Sequence, residues 1–217
     1  RPDILKTDLL GLQTSSIAVL TTDDDHPEMI ETHLLDLITS AQKVIRLEHA
    51  YIYHEPIEEA LRQALQRGVH LEIVFSERND ESLFELLNPV SVYDLMRTAP
   101  DQVKVWLYQG KGGEYGYMAH TKYLSVDGKA AIVGSANLIP RSLHSPFWSE
   151  GKPLLFNEEI SLYIRDEKFV NLLDRELLEF DIKKFSRQAS EADLKQLIER
   201  RGGASQLLLE RIKGLLS

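Results

Sequence analysis

An α/β fold, a mixed β-sheet flanked by helices on both faces, is predicted by three observations. Strand-like and helix-like segments alternate along most of the 217 residues. The helix-like segments carry apolar residues at helical spacing, which gives each one face to bury against a sheet. A tight hairpin signal late in the chain, Asp127-Gly128 between β-prone flanks, adds antiparallel strands to the βα pattern.

The elements follow in order. Ser16–Thr21 and Val44–Glu48 read as strands, with a helix from Pro27 through Ile38 between them. Pro56 suits a first helical position and Gly68 a stop. Between them Ile57, Ala60, Leu61, Ala64 and Leu65 recur at i, i+3, i+4, i+7 and i+8, one apolar helix face. Leu71–Phe75 is a strand, Leu83–Met96 is helical and Val103–Tyr108 is a strand. A glycine-rich loop, Gly110–Gly116, leads to the hairpin flanks Tyr123–Val126 and Ala130–Val133. Ile160–Ile164 is a strand and Phe169–Phe180 a helix. Ser190 caps a short helix, and Gly202-Gly203 precedes a last one at Gln206–Leu216.

Composition bounds the function without choosing it. The length suits one large domain with a buried core. No stretch approaches the ~18 consecutive apolar residues of a membrane span. Zero cysteines exclude disulfides and thiolate chemistry, and fit either redox compartment. The Arg1-Pro2-Asp3 start lacks a methionine and a signal-peptide pattern, so the expectation is a processed product or a piece of a longer protein. Net charge is -9, unevenly placed: residues 1–100 hold 8 Lys/Arg against 18 Asp/Glu, and residues 183–217 hold 8 against 4. An acidic body repels polyanions, which argues against nucleic acid as partner. The basic tail suits either a peripheral contact with anionic lipid or, more simply, solvated helix faces.

One run carries chemistry. His120-Thr121-Lys122 is followed by Asp127-Gly128 and then by Gly134-Ser135-Ala136-Asn137. In a strand, residues i and i+2 face one side, so His120 and Lys122 point together. Folding back at Asp127-Gly128 returns Gly134–Asn137 beside His120. An imidazole, an ammonium, an amide and a Gly-Ser pair then surround one point, a set that suits attack on a phosphate diester and stabilisation of its oxygens.

At these residues the chain resembles the phospholipase D superfamily, whose signature is the HKD motif. The resemblance runs from about Ser15 to Asp181, with further matches at Pro140-Arg141-Ser142 and Asn157-Glu158-Glu159. Upstream, Arg67-Gly68-Val69, the strand after it and Asp80 also match, as does His49-Ala50-Tyr51 at a pocket-lining position. The PRS element resembles the second, C-terminal half of two-motif members such as cardiolipin synthase-like proteins. The implied organisation is a phospholipase D-like domain over 1–182 and a basic helical tail over 183–217.

The resemblance implies phosphodiester hydrolysis or phosphatidyl transfer through a covalent phosphohistidine, with no cofactor and no metal. His120 is then the nucleophile or general acid, Lys122 and Asn137 hold the phosphate, and Glu159 orients His120. Plainer readings stand beside these. An isolated His120 would be a satisfied strand histidine, Lys122 a solvated strand lysine and Asn137 a turn cap. Asp127 is explained by turn chemistry, so a structural role is expected. Ser135 either donates its hydroxyl or, with Gly134, only permits close packing. His49, Tyr51 and Trp148 are candidates for the substrate pocket. His26 and His33 are read as structural, because loose spacing near carboxylates at a helix start does not make a metal site, and His70 because it starts a strand.

Two departures bear on function. One HKD motif is present where the chemistry uses two histidines, so a second half must come from a homodimer mate or from a missing N-terminal domain. Leu143–Phe156 is longer than the family's equivalent loop and aromatic, either covering the site, touching lipid or lying on the surface. An HKD-type nuclease and a non-catalytic dimerisation or lipid-binding half are the alternatives. Head group, acceptor alcohol and compartment are not encoded in these patterns.

Overall fold

The computed structural model describes residues 16–23, 25–78, 84–110, 118–144, 147–149, 152–154 and 157–200. Ten strands are seen: β1 Ile17–Thr22, β2 Val44–His49, β3 His70–Ser76, β4 Val103–Tyr108, β5 Lys122–Val126, β6 Ala130–Gly134, β7 Phe147–Ser149, β8 Lys152–Leu154, β9 Glu159–Ile164 and β10 Ser186–Ala189. The helices are α1 Met29–Ser40, α2 Glu55–Gln66, α3 Phe84–Thr98, the single turn α4 Pro140–Leu143, α5 Glu167–Leu173, α6 Glu179–Phe185 and α7 Glu191–Arg200. A π-helical stretch, Asp174–Leu178, joins α5 to α6.

Eight strands form one sheet in the order β1-β9-β6-β5-β2-β3-β4-β10. β2, β3 and β4 are parallel, because α2 and α3 return the chain to the same end each time. From β2 outward to β1 every pairing is antiparallel: β2 with β5, β5 with β6 in the hairpin, β6 with β9 and β9 with β1. The mixed sheet with helices on both faces is therefore observed. On one face Leu47, Ile73, Phe75, Leu124 and Ile132 pack with α1, α2 and α3. On the other, Val74, Tyr123 and Ala131 meet Val170 and Leu178 from the α5–α6 region. The split follows from the strand period of two: Ile73 and Val74, or Tyr123 and Leu124, face opposite ways and both are buried.

Two stretches differ from the sequence reading. Leu143–Phe156, read as a loop, contains the β7–β8 hairpin, with Trp148 paired to Pro153. Neither run is long enough to show a strand period, and a proline inside one of them hides it. The segment after residue 183, read as wholly helical, contributes β10, which pairs antiparallel with β4. Its residues, Ser-Arg-Gln-Ala, carry no β-propensity, so pairing with the exposed edge of β4 decides the conformation. Ser190 then caps α7 as expected, accepting from the Asp193 N–H at 3.2 Å while Asp193 accepts from the Ser190 N–H at 2.8 Å. Asp80, most of the glycine-rich loop before His120 and the expected helix at Gln206–Leu216 lie outside the described residues.

Polar groups fix the central strands. Asp127 sits at φ 56° in the β5–β6 turn, and its carboxylate accepts the N–H groups of Gln42, Lys43 and Val44 at 3.0, 2.8 and 2.9 Å. Partial burial opposes its ionisation, but those three donors outweigh burial and hold its pKa below the ordinary value. On the α5–α6 face, buried Asp174 accepts from Tyr123, Ser125 and Arg46 at 2.7, 2.7 and 3.1 Å. On β2, Glu48 is fully buried, and burial together with the charge of Asp181 pushes its pKa up to about 8.

Two outcomes follow from these groups. Asp127→Ala leaves three amide donors without their acceptor at the start of β2, and the expected loss is about 1–3 kcal/mol in urea unfolding. A variant within ~0.5 kcal/mol of the parent would contradict the clamp. Glu48 holds its proton in the folded protein to about pH 8, while the unfolded carboxyl releases it near 4.5. Its contribution is therefore fully present below pH 4.5 and drains away as pH rises toward 8. Glu48→Gln, which cannot ionise, should gain in melting temperature over the parent between pH 6 and 8. Parallel melting curves for the two proteins across that range would refute the assignment.

Candidate functional site

Parallel strands expose their carboxyl ends on one side of the sheet, and ligands gather there. β2 ends at His49, β3 at Ser76 and β4 at Tyr108 on that side, while antiparallel β5 begins there with Lys122. His49 and Lys122 are direct register partners. β6 ends there at Gly134, and β9 begins there at Glu159. Gly134 pairs with Ser161, and Glu159 faces Thr22 at the end of β1. His120, Lys122, Ser135, Asn137 and Glu159 are thus brought to one end of four neighbouring strands. Asp127 lies at the opposite end of β5, away from this group.

The backbone is shaped to let the pieces approach. A Cβ on Gly134 would lie 2.3 Å from Ser161 Oγ and 2.4 Å from the Ile160 carbonyl oxygen, so no other residue fits. Ser135 then hooks onto β9: its N–H donates to the Ile160 carbonyl at 2.9 Å, and its Oγ accepts the Ile160 N–H at 3.0 Å. That Oγ also donates to Glu159 Oε2. The other oxygen, Oε1, accepts from Asn157 Nδ2 at 3.2 Å, and Asn157 Nδ2 also donates to Ser142 Oγ at 3.2 Å. Ser135 is therefore a working hydrogen-bonding group as well as a small one. The bonds resolved at Glu159 go to Ser135 and Asn157.

Asn137 is held by the segment after β2. The Leu138 N–H donates to the Tyr51 carbonyl at 3.1 Å, and the Tyr53 N–H donates to the Leu138 carbonyl at 2.7 Å. Asn88 on α3 locks that segment in turn, donating to the Ala50 carbonyl at 2.7 Å and accepting the Ile52 N–H at 2.9 Å. Asn137 is 9 % exposed, and its Oδ1 meets no hydrogen-bond donor.

Charge and access are divided between neighbours. His120 is exposed at the strand start, whereas Lys122, two residues on, is buried at 8 % exposure. The Lys122 ammonium donates to the His120 carbonyl at 2.9 Å, which ties the two together. His49 beside it is buried, and burial and the Lys122 charge depress its pKa to about 3. It is therefore a neutral wall to the lysine. Tyr51 is buried close by at 7 % exposure. Trp148 lies in β7 of the added hairpin.

Two of the three histidines read as structural have local side-chain bonds: His26 Nδ1 with Asp23 at 3.2 Å, and His33 Nδ1 with the Met29 carbonyl at 2.9 Å. A different histidine group was invisible in the sequence. Glu31 on α1, His54 before α2 and His144 after α4 bring their ligand atoms within 4.8 Å of one another. They are separated by 23 and 90 positions, so no spacing rule could find them.

Comparison with known proteins gives the family of the chain. Residues 34–180 match the family model described as cardiolipin synthase, PLD-like domain. The chain is 31 % identical over 156 residues to cardiolipin synthase A of Pectobacterium carotovorum, covering 71 % of this chain and 28 % of that protein. It is 27 % identical over 157 residues to the probable cardiolipin synthase YwiE of Bacillus subtilis, covering 72 % and 27 %. Among solved structures, the phospholipase D family member Nuc from Salmonella typhimurium superposes with a TM-score of 0.60 at 19 % identity, covering 80 % of this chain and 97 % of that one. Phosphatidylserine synthase of Haemophilus influenzae gives 0.66 at 14 % identity, covering 93 % and 47 %. The chain spans less than a third of the length of those two cardiolipin synthases. With most of the sheet and the whole His120–Glu159 run inside the matched residues, the chain belongs to the cardiolipin synthase, phospholipase D-like domain family.

Proposed function

We propose that this chain is one half of a phospholipid phosphatidyltransferase or phosphodiesterase that works through a phosphohistidine. The observation that carries the reading is the division of labour at the start of β5. An accessible imidazole, His120, stands two residues from a buried ammonium, Lys122, at the ligand-binding end of the sheet. A phosphodiester placed there meets His120 first and leaves its negative oxygens toward Lys122 and Asn137.

In the proposed reaction a neutral imidazole nitrogen attacks phosphorus, a P–N bond forms and the bond to the leaving alcohol oxygen breaks. A second histidine, from the other half, gives that oxygen its proton. An acceptor alcohol or water then attacks phosphorus, returns a proton to the second histidine and breaks the P–N bond. Glu159, oriented by Ser135 and Asn157, is proposed to fix the imidazole of His120 by accepting its other N–H. His49, the register partner of Lys122, and buried Tyr51 are proposed as the pocket wall. Ions enter no step of this reaction.

The second half is proposed to be a second copy of this chain or a further domain. The large apolar side chains exposed on the sheet, Val19, Ile160 and Leu162, lie on the adjacent strands β1 and β9, next to Glu159. They favour a partner surface there, to one side of the β5–β6 hairpin. Coverage of 97 % of one solved relative and 47 % of another accommodates both a second copy and a second domain. No helix among the described residues is long and apolar enough to cross a membrane.

Two experiments test the reading. Turnover of phosphatidylglycerol vesicles and of plasmid DNA is measured side by side for the parent and His120→Asn. Loss of lipid turnover by at least roughly 10²–10⁴-fold is expected, with alkali-stable phosphate label on the parent alone. Near-normal turnover in the variant would remove His120 from the chemistry, and plasmid cleavage without lipid turnover would favour the nuclease. Light scattering read beside specific activity over a dilution series tests assembly. Activity should track dimer mass if two copies complete the site. A strictly monomeric chain that turns over lipid would refute the need for a second half.

A further inference from the structure

Outside the phosphate site, one cluster of chemically competent side chains stands out. Glu31 is 8 % exposed on α1, with His54 on one side and His144 on the other. His54 Nε2 lies 2.8 Å from Glu31 Oε1, and His144 Nδ1 lies 2.8 Å from Glu31 Oε2. The two imidazole rings are 4.9 Å apart, centroid to centroid, and tilted by 55°. The His54 side chain is 1 % exposed and that of His144 25 %, so the group is buried with one side open to solvent.

We propose that Glu31, His54 and His144 form a binding site for a divalent transition metal, with zinc the best fit. Two imidazoles and one carboxylate, with a free position, are the donor set that zinc takes in open sites. Tetrahedral zinc at its usual bond lengths sets ligand atoms roughly 3.3 Å apart. The three atoms here already lie within 4.8 Å of one another, so sub-ångström shifts would close them around an ion. They sit on elements already packed together, α1 with α2 and α1 with α4. The fourth position falls on the open side at His144, where water completes the shell.

His54 Nδ1 is buried without a hydrogen-bond partner. In the empty site Nε2 carries the proton it donates to Glu31, so binding an ion there requires that proton to leave Nε2, with Nδ1–H the tautomer of the bound form. An Nδ1–H facing no acceptor also weakens the site relative to one with a complete outer shell. The expected affinity is therefore below that of a four-ligand structural zinc site.

The cation would act as a staple. His144 directly follows α4, whose Ser142 accepts from Asn157, the same side chain that donates to Glu159. His54 directly follows the Tyr51–Tyr53 segment that holds Leu138 beside Asn137. Metal at this cluster would tie both supports of the phosphate site to α1 without touching substrate. The proposal stands whether or not His120 is the nucleophile.

The test uses the whole chain, dialysed against chelator and titrated with Zn²⁺ alone by calorimetry. The parent and His120→Asn should each bind one equivalent with the same affinity. His144→Gln, at the most exposed ligand, should bind at least about tenfold more weakly, the lower bound even for outer-shell losses. Its circular dichroism and zinc-free urea midpoint should match the parent. Cobalt added to the parent gives a second readout that needs no variant: intense visible bands of four-coordinate Co²⁺ are expected. Zinc affinity unchanged in His144→Gln, no stoichiometric binding by the parent, or only the weak spectrum of six-coordinate aqueous cobalt would each overturn the proposal, leaving a hydrogen-bonded triad.

Discussion

The structure depends on the clamp that Asp127 makes across the end of the sheet opposite the site. Its carboxylate gathers the N–H groups of Gln42, Lys43 and Val44, where β2 begins. The Asp127 N–H donates back to the Val44 carbonyl at 2.9 Å. This fixes the register of β5 on β2, and a slip of one residue would turn every side chain of β5 to the other face. With the register held, His49 stands opposite Lys122. The aspartate of the motif thus serves the histidine and lysine from the far end of their strand. It lies at the other end of β5 from them, and its carboxylate is taken up by the main-chain N–H groups of Gln42, Lys43 and Val44.

Sheet order explains why residues far apart in sequence meet. The β5–β6 hairpin sits in the middle of the sheet, between β2 and β9. One neighbour ends at His49 and the other begins at Glu159, so both flank the mouth of the hairpin. The close approach of β6 to β9 requires glycine at 134, and Ser135 then locks β9 through the main chain of Ile160 and the side chain of Glu159. The opposite face of the sheet carries a different load. Asp174 collects Arg46, Tyr123 and Ser125, so both oxygens of a buried carboxylate are used, one of them by a half-buried guanidinium. Removing one member of such a group leaves a charge without compensation in the interior.

The motif run and most of the sheet were legible because their signals are local. Hairpin chemistry at Asp127-Gly128, helical spacing over Ile57–Leu65 and the β-rich runs of β2, β3 and β4 each declare themselves within a few residues. β10 did not, since its side chains have no strand preference and only the open edge of β4 makes them pair. The β7–β8 hairpin failed for want of length, three residues a side. The supports of the site were also out of reach. Asn88, which holds the Ala50–Ile52 segment from α3, looks like any helix residue in the sequence. Glu31, His54 and His144 belong to three elements whose meeting is a property of packing alone.

The contrast between Glu31 and Glu48 shows what burial does when partners differ. Both carboxyls lie inside the protein. Glu31 has two imidazoles against it, and although burial opposes ionisation their hydrogen bonds and charge hold its pKa down to about 2. Glu48 has another carboxyl, Asp181, nearby, so burial and like charge act in one direction and keep its proton on. The same residue type is therefore an anion on the α1 side of the sheet and a neutral acid on the α6 side. Glu48 sits one residue before His49 and directly across from Tyr123, so by the strand period of two it faces the α6 side, away from the His49–Lys122 pair. The proton kept at Glu48 is therefore a condition of packing α6 near β2, on the face opposite the His49–Lys122 pair.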